Sequence, residues 1–234
     1  MTFKLITLFT VLVGVLAIGL IRTASKVRQS QTNEPTSNRL QWLVQQARNE
    51  GRKEVFLYSP ISDYLGTEVT NLDEVLSSCT IVVAQPLESR SYEINGNNLA
   101  TWTKFKILEP LSEIRPPLCF GCDSSTPPAD MLPLQSDEFL VPKSGGTLVR
   151  DGIRVTETDN NYPSFIQGQK YLMLISLYPS GVAVTLGGPA GVFVVDGNEN
   201  LVPVNKEPHA LKEGVNTRFQ GSLRQVRNKL TQSH

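Results

Sequence analysis

Histidine is scarce in this sequence, with only His209 and the terminal His234 among 234 residues. Hydrolysis through a serine or cysteine nucleophile needs a base beside that nucleophile, and the base is usually histidine. His209 stands in the polar segment KEPHALKEG, where the expected interpretation is a solvated loop residue. The scarcity therefore argues against a nucleophilic hydrolase, and the sequence favours a protein that is not an enzyme.

Cysteine is also rare, and the three that occur are Cys79, Cys119 and Cys122. A structural zinc site takes four ligands, and only the two histidines remain to complete one, so we predict no metal and no cofactor. Cys119 and Cys122 have the spacing of a redox pair, but a low-pKa thiol belongs at a helix start and prolines surround this pair. All three cysteines are candidates for a structural disulfide, which would leave one thiol over in an oxidising compartment.

The body of the chain has no excess of positive charge. Lys plus Arg and Asp plus Glu both number 22 in the full sequence. The first thirty residues hold four of the basic residues and no acidic one, so the remainder carries 18 basic and 22 acidic side chains. A net charge of about −4 does not predict a nucleic-acid surface, which would be basic.

The most informative feature present is the uncharged, mostly apolar run Leu5–Ile21, which has basic residues on both sides. Its 17 residues are at the short end of a membrane-spanning helix and at the long end of a signal-peptide core. Residues 1–28 are therefore predicted to be a signal anchor, forming an N-terminal transmembrane helix, or a signal peptide cleaved after Gly19. Either way, the expected partner of this segment is a membrane.

Residues 29–37 (QSQTNEPTS) contain no apolar side chain and are predicted to be a polar tether. Residues 38–234 are long enough for a single β-rich domain with a real core. We expect this body to lie on the periplasmic or extracellular side of the cell membrane, or to be secreted if cleavage occurs. The basic cluster after the apolar run favours the opposite orientation by the positive-inside rule.

The body shows the period-2 patterns of short strands, with helical patterns near both ends. Asn95-Gly96 and Asp151-Gly152 lie between alternating segments and predict two β-hairpins. Helices are predicted over 38–50, 70–78 and 219–230. Strands are predicted over 53–58, 79–88, 99–109, 137–141, 170–178, 182–186, 191–195 and 201–204, and residues 147–158 are predicted to form the second hairpin. This pattern predicts a mainly β, antiparallel OB-like barrel, or a small sandwich, with flanking helices.

Several weak motifs follow one another between Asp73 and Val195. They are DEVLSSCTIVVAQPLE, WTKFKILEPL, FLVPKSGGT, FIQGQKYLMLISL and GGPAGVFVVD. Together they resemble a group of uncharacterised bacterial exported β-domain proteins. Their order is also distantly similar to the OB-barrel domain of the netrin and metalloproteinase-inhibitor superfamily. That resemblance implies a barrel. It does not extend to metalloprotease inhibition, because the inhibitors act through an amino-terminal cysteine that this chain lacks.

Glycines 187, 188 and 191 belong to the segment GGPAG, whose composition is similar to that of a phosphate-binding loop. A phosphate loop must open a helix, whereas a strand follows here, so a tight turn with close backbone approach is expected. We predict that the protein is a non-catalytic binding or scaffolding domain of the cell envelope. Its ligand or protein partner would contact the long loop 110–136 or Gly187, Gly188 and Gly191. The alternative is a thiol-based redox or metal-responsive envelope protein that uses Cys119 and Cys122.

Overall fold

A computed structural model describes residues 38–59, 72–115, 117 and 126–231 of the chain. All of them belong to one compact unit, Thr36–His234. The helices are α1 (Arg39–Asn49), α2 (Leu72–Ser78), α3 (Ala210–Phe219) and α4 (Leu223–Thr231), with 3₁₀ turns at Ala129–Met131 and Gly188–Gly191. The strands are β1 (Glu54–Tyr58), β2 (Thr80–Ile94), β3 (Asn98–Pro110), β4 (Glu138–Ser144), β5 (Gly146–Arg150), β6 (Ile153–Thr158), β7 (Lys170–Leu177), β8 (Ala183–Thr185), β9 (Val192–Val195) and β10 (Leu201–Pro203).

The strands form two sheets. The larger sheet has seven strands: six follow the order β10-β9-β7-β2-β3-β4, and β8 pairs with one end of β7. All adjacent strands in this sheet are antiparallel. The smaller has the order β1-β6-β5, in which β1 runs parallel to β6. The mainly β prediction with flanking helices is therefore confirmed, and β7 is an interior strand as its apolar sequence predicts.

Both predicted hairpins are present. Asn95 and Gly96 have φ of 51° and 72°, and Asp151 and Gly152 have φ of 50° and 77°. Tight hairpin turns need positive φ at their central residues, which Asn, Asp and Gly adopt most readily. These dipeptides fix the β2–β3 and β5–β6 pairings locally.

The expectation of a closed barrel is wrong for the described strands. The larger sheet curls until β4 meets β8, but only one parallel bridge, Leu140 to Val182, joins them. The Leu140 amide donates to the Gly181 carbonyl at 2.9 Å. β8 has only three residues, which is too short to extend this bridge into a ladder along the seven residues of β4.

The core inside this curl is aromatic. Phe105 on β3 is fully buried and stacks on Phe139 of β4, with ring centroids 5.3 Å apart. Phe165 meets the Phe105 ring edge-on at 4.7 Å, and Tyr171 does so at 6.3 Å. Edge-to-face and offset pairs are the arrangements that aromatic rings prefer. The loop that carries Phe165 therefore fills the interior of the curled sheet.

Helices α2, α3 and α4 cover the opposite face of the larger sheet. Leu211, Val215 and Phe219 of α3 and residues of α4 join one core cluster with alternate residues of β2 and β7. Arg227 of α4 donates two bonds of 2.8 Å to Glu109 on β3 and one of 2.7 Å to Glu199. The C-terminal helix α4 therefore docks on the larger sheet through both apolar packing and ion pairs.

The helix predicted over 219–230 begins too early, and α3 is missing from the prediction. Phe219 ends α3, and Gln220 and Gly221 then take left-handed conformations before α4 begins. His209 lies in the loop before α3, as predicted, but it is half-buried: its Nδ1 accepts from the Leu211 amide at 3.2 Å and caps α3. Proline and glycine in KEPHALKEGV hide the helical period.

The predicted membrane segment Leu5–Ile21 and the tether 29–37 lie outside the described residues, as do residues 70 and 71 of the predicted second helix. Within the described ranges, no helix combines the length and the apolar character needed to cross a membrane.

Candidate functional site

Lys143 lies where the two sheets join, at the end of β4. It follows Phe139 and Val141 at period 2, so its side chain points to the interior of the curled sheet and only 7% of the residue is exposed. A lysine in phase with core residues is rare, because burial of a charged side chain is costly unless that charge is compensated. Lys143 is therefore the first candidate for a functional residue.

The Lys143 ammonium is compensated by neutral groups of the protein, including the Tyr162 ring, whose centroid lies 6.0 Å from Nζ. Its Nζ donates to the Tyr162 carbonyl at 3.0 Å and to the Ser144 carbonyl at 3.3 Å. It makes no ion pair with any carboxylate in the part of the chain that the structure describes. Burial lowers the pKa of Lys143 below its ordinary value, while the charge of nearby Asp159 acts in the opposite direction. An ammonium has three donors, so one N–H is left for a further acceptor.

A cavity of about 300 Å³ is lined in part by Lys143, and we name it the Lys143 pocket. Hydroxyl, amide and carboxylate groups dominate its wall. It is lined by Lys143, Gly146, Thr147, Thr156, Glu157, Thr158, Asp159, Asn160, Tyr162, Pro163 and Ser164. The volume suits a small ligand or one unit of a longer one.

Local hydrogen bonds fix the walls of the pocket. The Asp159 carboxylate accepts from the amides of Asn161 at 3.0 Å and Tyr162 at 3.1 Å, which holds the loop after β6. The hydroxyls of Thr147 and Thr156 lie 3.1 Å apart across the β5–β6 pair. The wall is therefore formed before any ligand arrives.

Two glycines allow β4 to turn directly into β5 at this junction. A Cβ on Gly145 would lie 2.6 Å from the Glu157 carbonyl oxygen, and one on Gly146 would collide with the hydroxyls of Ser91 and Thr101. The Thr101 hydroxyl donates to the Gly145 carbonyl at 2.7 Å. The close approaches of these two glycines bring the two sheets together beside Lys143.

Glu157 is a second buried charged residue at the junction, with 2% exposure. Its Oε2 accepts from the Leu99 amide at 2.5 Å, which ties β6 to β3. Its Oε1 is shielded from solvent and has no hydrogen-bond partner among the described residues. Because this oxygen is sealed, a ligand in the Lys143 pocket has no direct path to it, and Glu157 is a structural acceptor.

The outer face of the smaller sheet continues from the pocket to the edge strand β1. Phe56 and Tyr58 are exposed to 66% and 72%, although both are large aromatic residues. In the parallel register Phe56 lies beside Thr156 and Tyr58 beside Thr158, and both threonines line the Lys143 pocket. Two exposed aromatic rings therefore lie one strand away from the pocket.

The predicted glycine site is mostly in the core. Gly188 and Gly191 are buried within the 3₁₀ turn, and Gly187 is half-buried against Leu211 and His209. The expected strand after this segment is present as β9. Because their backbones pack against other residues, Gly188 and Gly191 present no open surface to a ligand. The close backbone approach predicted for this turn is the feature that the structure displays.

The described part of the loop 110–136 is held against the sheet. Asp130 accepts from Arg90 Nη1 at 2.8 Å and from the Tyr92 hydroxyl at 2.8 Å. Met131, one residue on, is fully buried beside Trp102. This part of the loop therefore covers the outer side of β3 and leaves the Lys143 pocket on another face.

Cys119 and Cys122 lie outside the described residues, so their redox, disulfide and binding roles stay predictions. Cys79 is free and buried at the end of α2. Burial raises the pKa of the Cys79 thiol to about 12. A thiol that is both shielded and protonated is a poor nucleophile.

We expect Cys79 to be unreactive in the folded protein. In a Cys119→Ser/Cys122→Ser variant, Ellman's reagent at mildly alkaline pH should detect no thiol until denaturant is added. Rapid reaction of the folded variant would contradict the burial of Cys79.

A second expectation concerns Lys143 and pH. The folded state holds the Lys143 pKa below the ordinary 10.5, so between these two values the unfolded state binds more protons. The unfolding free energy of the wild type, minus that of Lys143→Met, should therefore rise with pH from neutrality towards 10.5. Urea unfolding of both proteins across this range measures it. A flat or falling difference would contradict a buried, charged Lys143.

Among the described residues, no group of three or more His, Cys, Asp and Glu side chains is placed to hold a metal ion. No family model, no curated protein and no solved structure matches the chain. The candidate site therefore depends on the geometry of the Lys143 pocket alone.

Proposed function

We propose that this protein is a non-catalytic binding domain of the cell envelope, which receives an anionic group of its ligand in the Lys143 pocket. The observation that carries the proposal is the buried Lys143 side chain, which lines a polar cavity and whose ammonium has two carbonyl acceptors and one N–H left over. Buried charges in proteins are compensated. A bound anion would complete this compensation with an opposite charge.

A binding role also agrees with the structural roles of His209 and Cys79, two described residues of types that can serve as a base or a nucleophile. His209 caps α3, and Cys79 is buried with a raised pKa. The strand path supports an OB-like body, since β2, β3, β4, β7 and β8 form a curled, partly open array with one parallel bridge. OB folds are binding modules in many settings, and fold alone assigns no ligand.

Thermal unfolding tests the anion site. Acetate and phosphate in excess should raise the Tm of the full-length protein, because a ligand that binds only the folded state stabilises it. Lys143→Met should remove that increase. If neither anion raises the Tm, or if both proteins respond equally, the site is not an anion site.

The envelope location follows from the predicted membrane segment Leu5–Ile21, and it has its own test. Val202 is half-exposed on β10, so Val202→Cys in the Cys119→Ser/Cys122→Ser background provides an accessible thiol. The buried Cys79 thiol should not react with the reagent. A membrane-impermeant maleimide should label this protein in intact bacterial cells. Labelling that requires cell lysis would place the body in the cytosol.

A further inference from the structure

We infer that the ligand of the Lys143 pocket is an acidic saccharide. One carboxylated sugar unit would enter the pocket, and the adjoining units would lie across the outer face of the smaller sheet against Phe56 and Tyr58. This inference rests on the proposed anion site and adds the chemical class of the ligand.

The charge requirement comes from Lys143. Its remaining N–H needs an acceptor, and an anionic one also compensates the buried positive charge. The rest of the wall offers neutral hydrogen-bonding groups on Thr147, Asn160 and Ser164. Its two carboxylates already accept bonds from backbone amides, Asp159 from Asn161 and Tyr162 and Glu157 from Leu99. A carboxylate on a body rich in hydroxyls matches both parts of this wall.

The aromatic requirement comes from β1. Phe56 and Tyr58 lie two residues apart on one face of a strand, so their Cα atoms are about 6.6 Å apart along it. Both rings are exposed beside the threonine hydroxyls of β6. Sugar rings have apolar C–H faces and polar rims, and a surface of aromatic rings beside hydroxyls offers a contact to each.

The path from the aromatic rings to the pocket crosses β6, whose backbone is paired on both sides, while the open edge of the sheet lies beyond β1. Strand β6 is hydrogen-bonded to β1 on one side and to β5 on the other. A ligand that lies across the face from Tyr58 to the pocket therefore meets side chains only. Strand addition by a peptide would require an open backbone edge along its path.

Calorimetry with the full-length protein in detergent micelles tests the inference. The probes are a tetrasaccharide alternating glucuronic acid and N-acetylglucosamine, the neutral N-acetylglucosamine tetramer, tetraglutamate and acetate. We expect the acidic tetrasaccharide to bind at least about tenfold more tightly than any of the other three probes. Lys143→Met should weaken its binding about 10–100-fold, the range for loss of a charged hydrogen bond.

Exposed residues on the two sheets provide matched variants. Phe56→Ala and Tyr58→Ala should each weaken binding of the acidic tetrasaccharide about tenfold. Val202→Ala, an exposed apolar residue on the other sheet, should leave binding unchanged. Because all three side chains are exposed, the unfolding free energies of the three variants should stay close to that of the wild type. Weaker binding would then reflect a lost ligand contact and not a folding defect.

Other results of these binding experiments distinguish failure of the saccharide inference from failure of the proposed anion site. If acetate binds through Lys143 and the acidic tetrasaccharide binds no more tightly, the saccharide inference is wrong and the anion site stands. If tetraglutamate binds more tightly than the tetrasaccharide, the ligand is a peptide and the inference is wrong. If no anion binds, the proposed function fails as well.

Discussion

Replacement of Phe105 by alanine is expected to destabilise the protein more than any other single substitution considered. Phe105 is fully buried at the centre of the aromatic core, where Phe139, Phe165 and Tyr171 surround it. Truncation of a buried phenylalanine removes its transfer free energy and leaves a cavity, at a cost of about 3–5 kcal/mol. For a domain of this size we expect the Tm to fall by roughly 6–20 °C.

Phe56→Ala is the matched control, because the chemical change is identical and only the burial differs. Phe56 is 66% exposed, so its truncation should change the unfolding free energy by no more than about 0.5 kcal/mol. Urea unfolding of both variants measures the contrast. Equal costs for the two variants would contradict an aromatic core inside the curled sheet.

Gly145→Ala is expected to have the second largest effect, because it acts on the junction that forms the Lys143 pocket. Gly145 has φ of 79°, and a Cβ there would approach the backbone carbonyl of Glu157 to 2.6 Å. Backbone atoms cannot move aside as a flexible side chain can. Conformational strain and overpacking together should cost about 2–4 kcal/mol.

Gly152→Ala separates the two contributions. Gly152 has nearly the same φ, 77°, but a Cβ there would have no heavy atom within 4 Å. This substitution should cost about 1 kcal/mol from conformational strain alone. If Gly145→Ala costs no more than Gly152→Ala in urea unfolding, the two sheets do not approach each other as closely as described.

Local signals predicted most of the strands and both tight hairpins. Asn95-Gly96 and Asp151-Gly152 determine their turns through the backbone conformations that these residues favour. The apolar run of β7 indicated an interior strand, since both of its faces are covered. By contrast, the middle of α3 is the run 214–217 (GVNT), whose residues have weak helical preference, and the helix is stabilised by packing of Leu211 and Val215 on the sheet. Tertiary contacts of this kind leave little trace in local sequence.

The candidate site was harder to predict, because it depends on which strands meet. The motif FLVPKSGGT contained a usable signal, since Lys143 follows Phe139 and Val141 in phase with the core face. The residues that line the pocket with Lys143 come mainly from the C-terminal end of β6 and the loop after it. These residues follow Lys143 by about fifteen positions in the sequence. The parallel pairing of β1 with β6 places Phe56 and Tyr58 beside them, and no turn signal specifies a parallel pair.

Backbone amide shifts measured by nuclear magnetic resonance test the central claim, that the Lys143 pocket is the ligand site. The acidic tetrasaccharide is added in steps to isotope-labelled full-length protein in micelles. We predict that the largest shifts occur at the amides of Gly146, Thr158 and Asn160, and that Lys143→Met abolishes them. Saturable shifts centred elsewhere, for example at Gly187–Gly191, or the absence of any shift, would contradict the account.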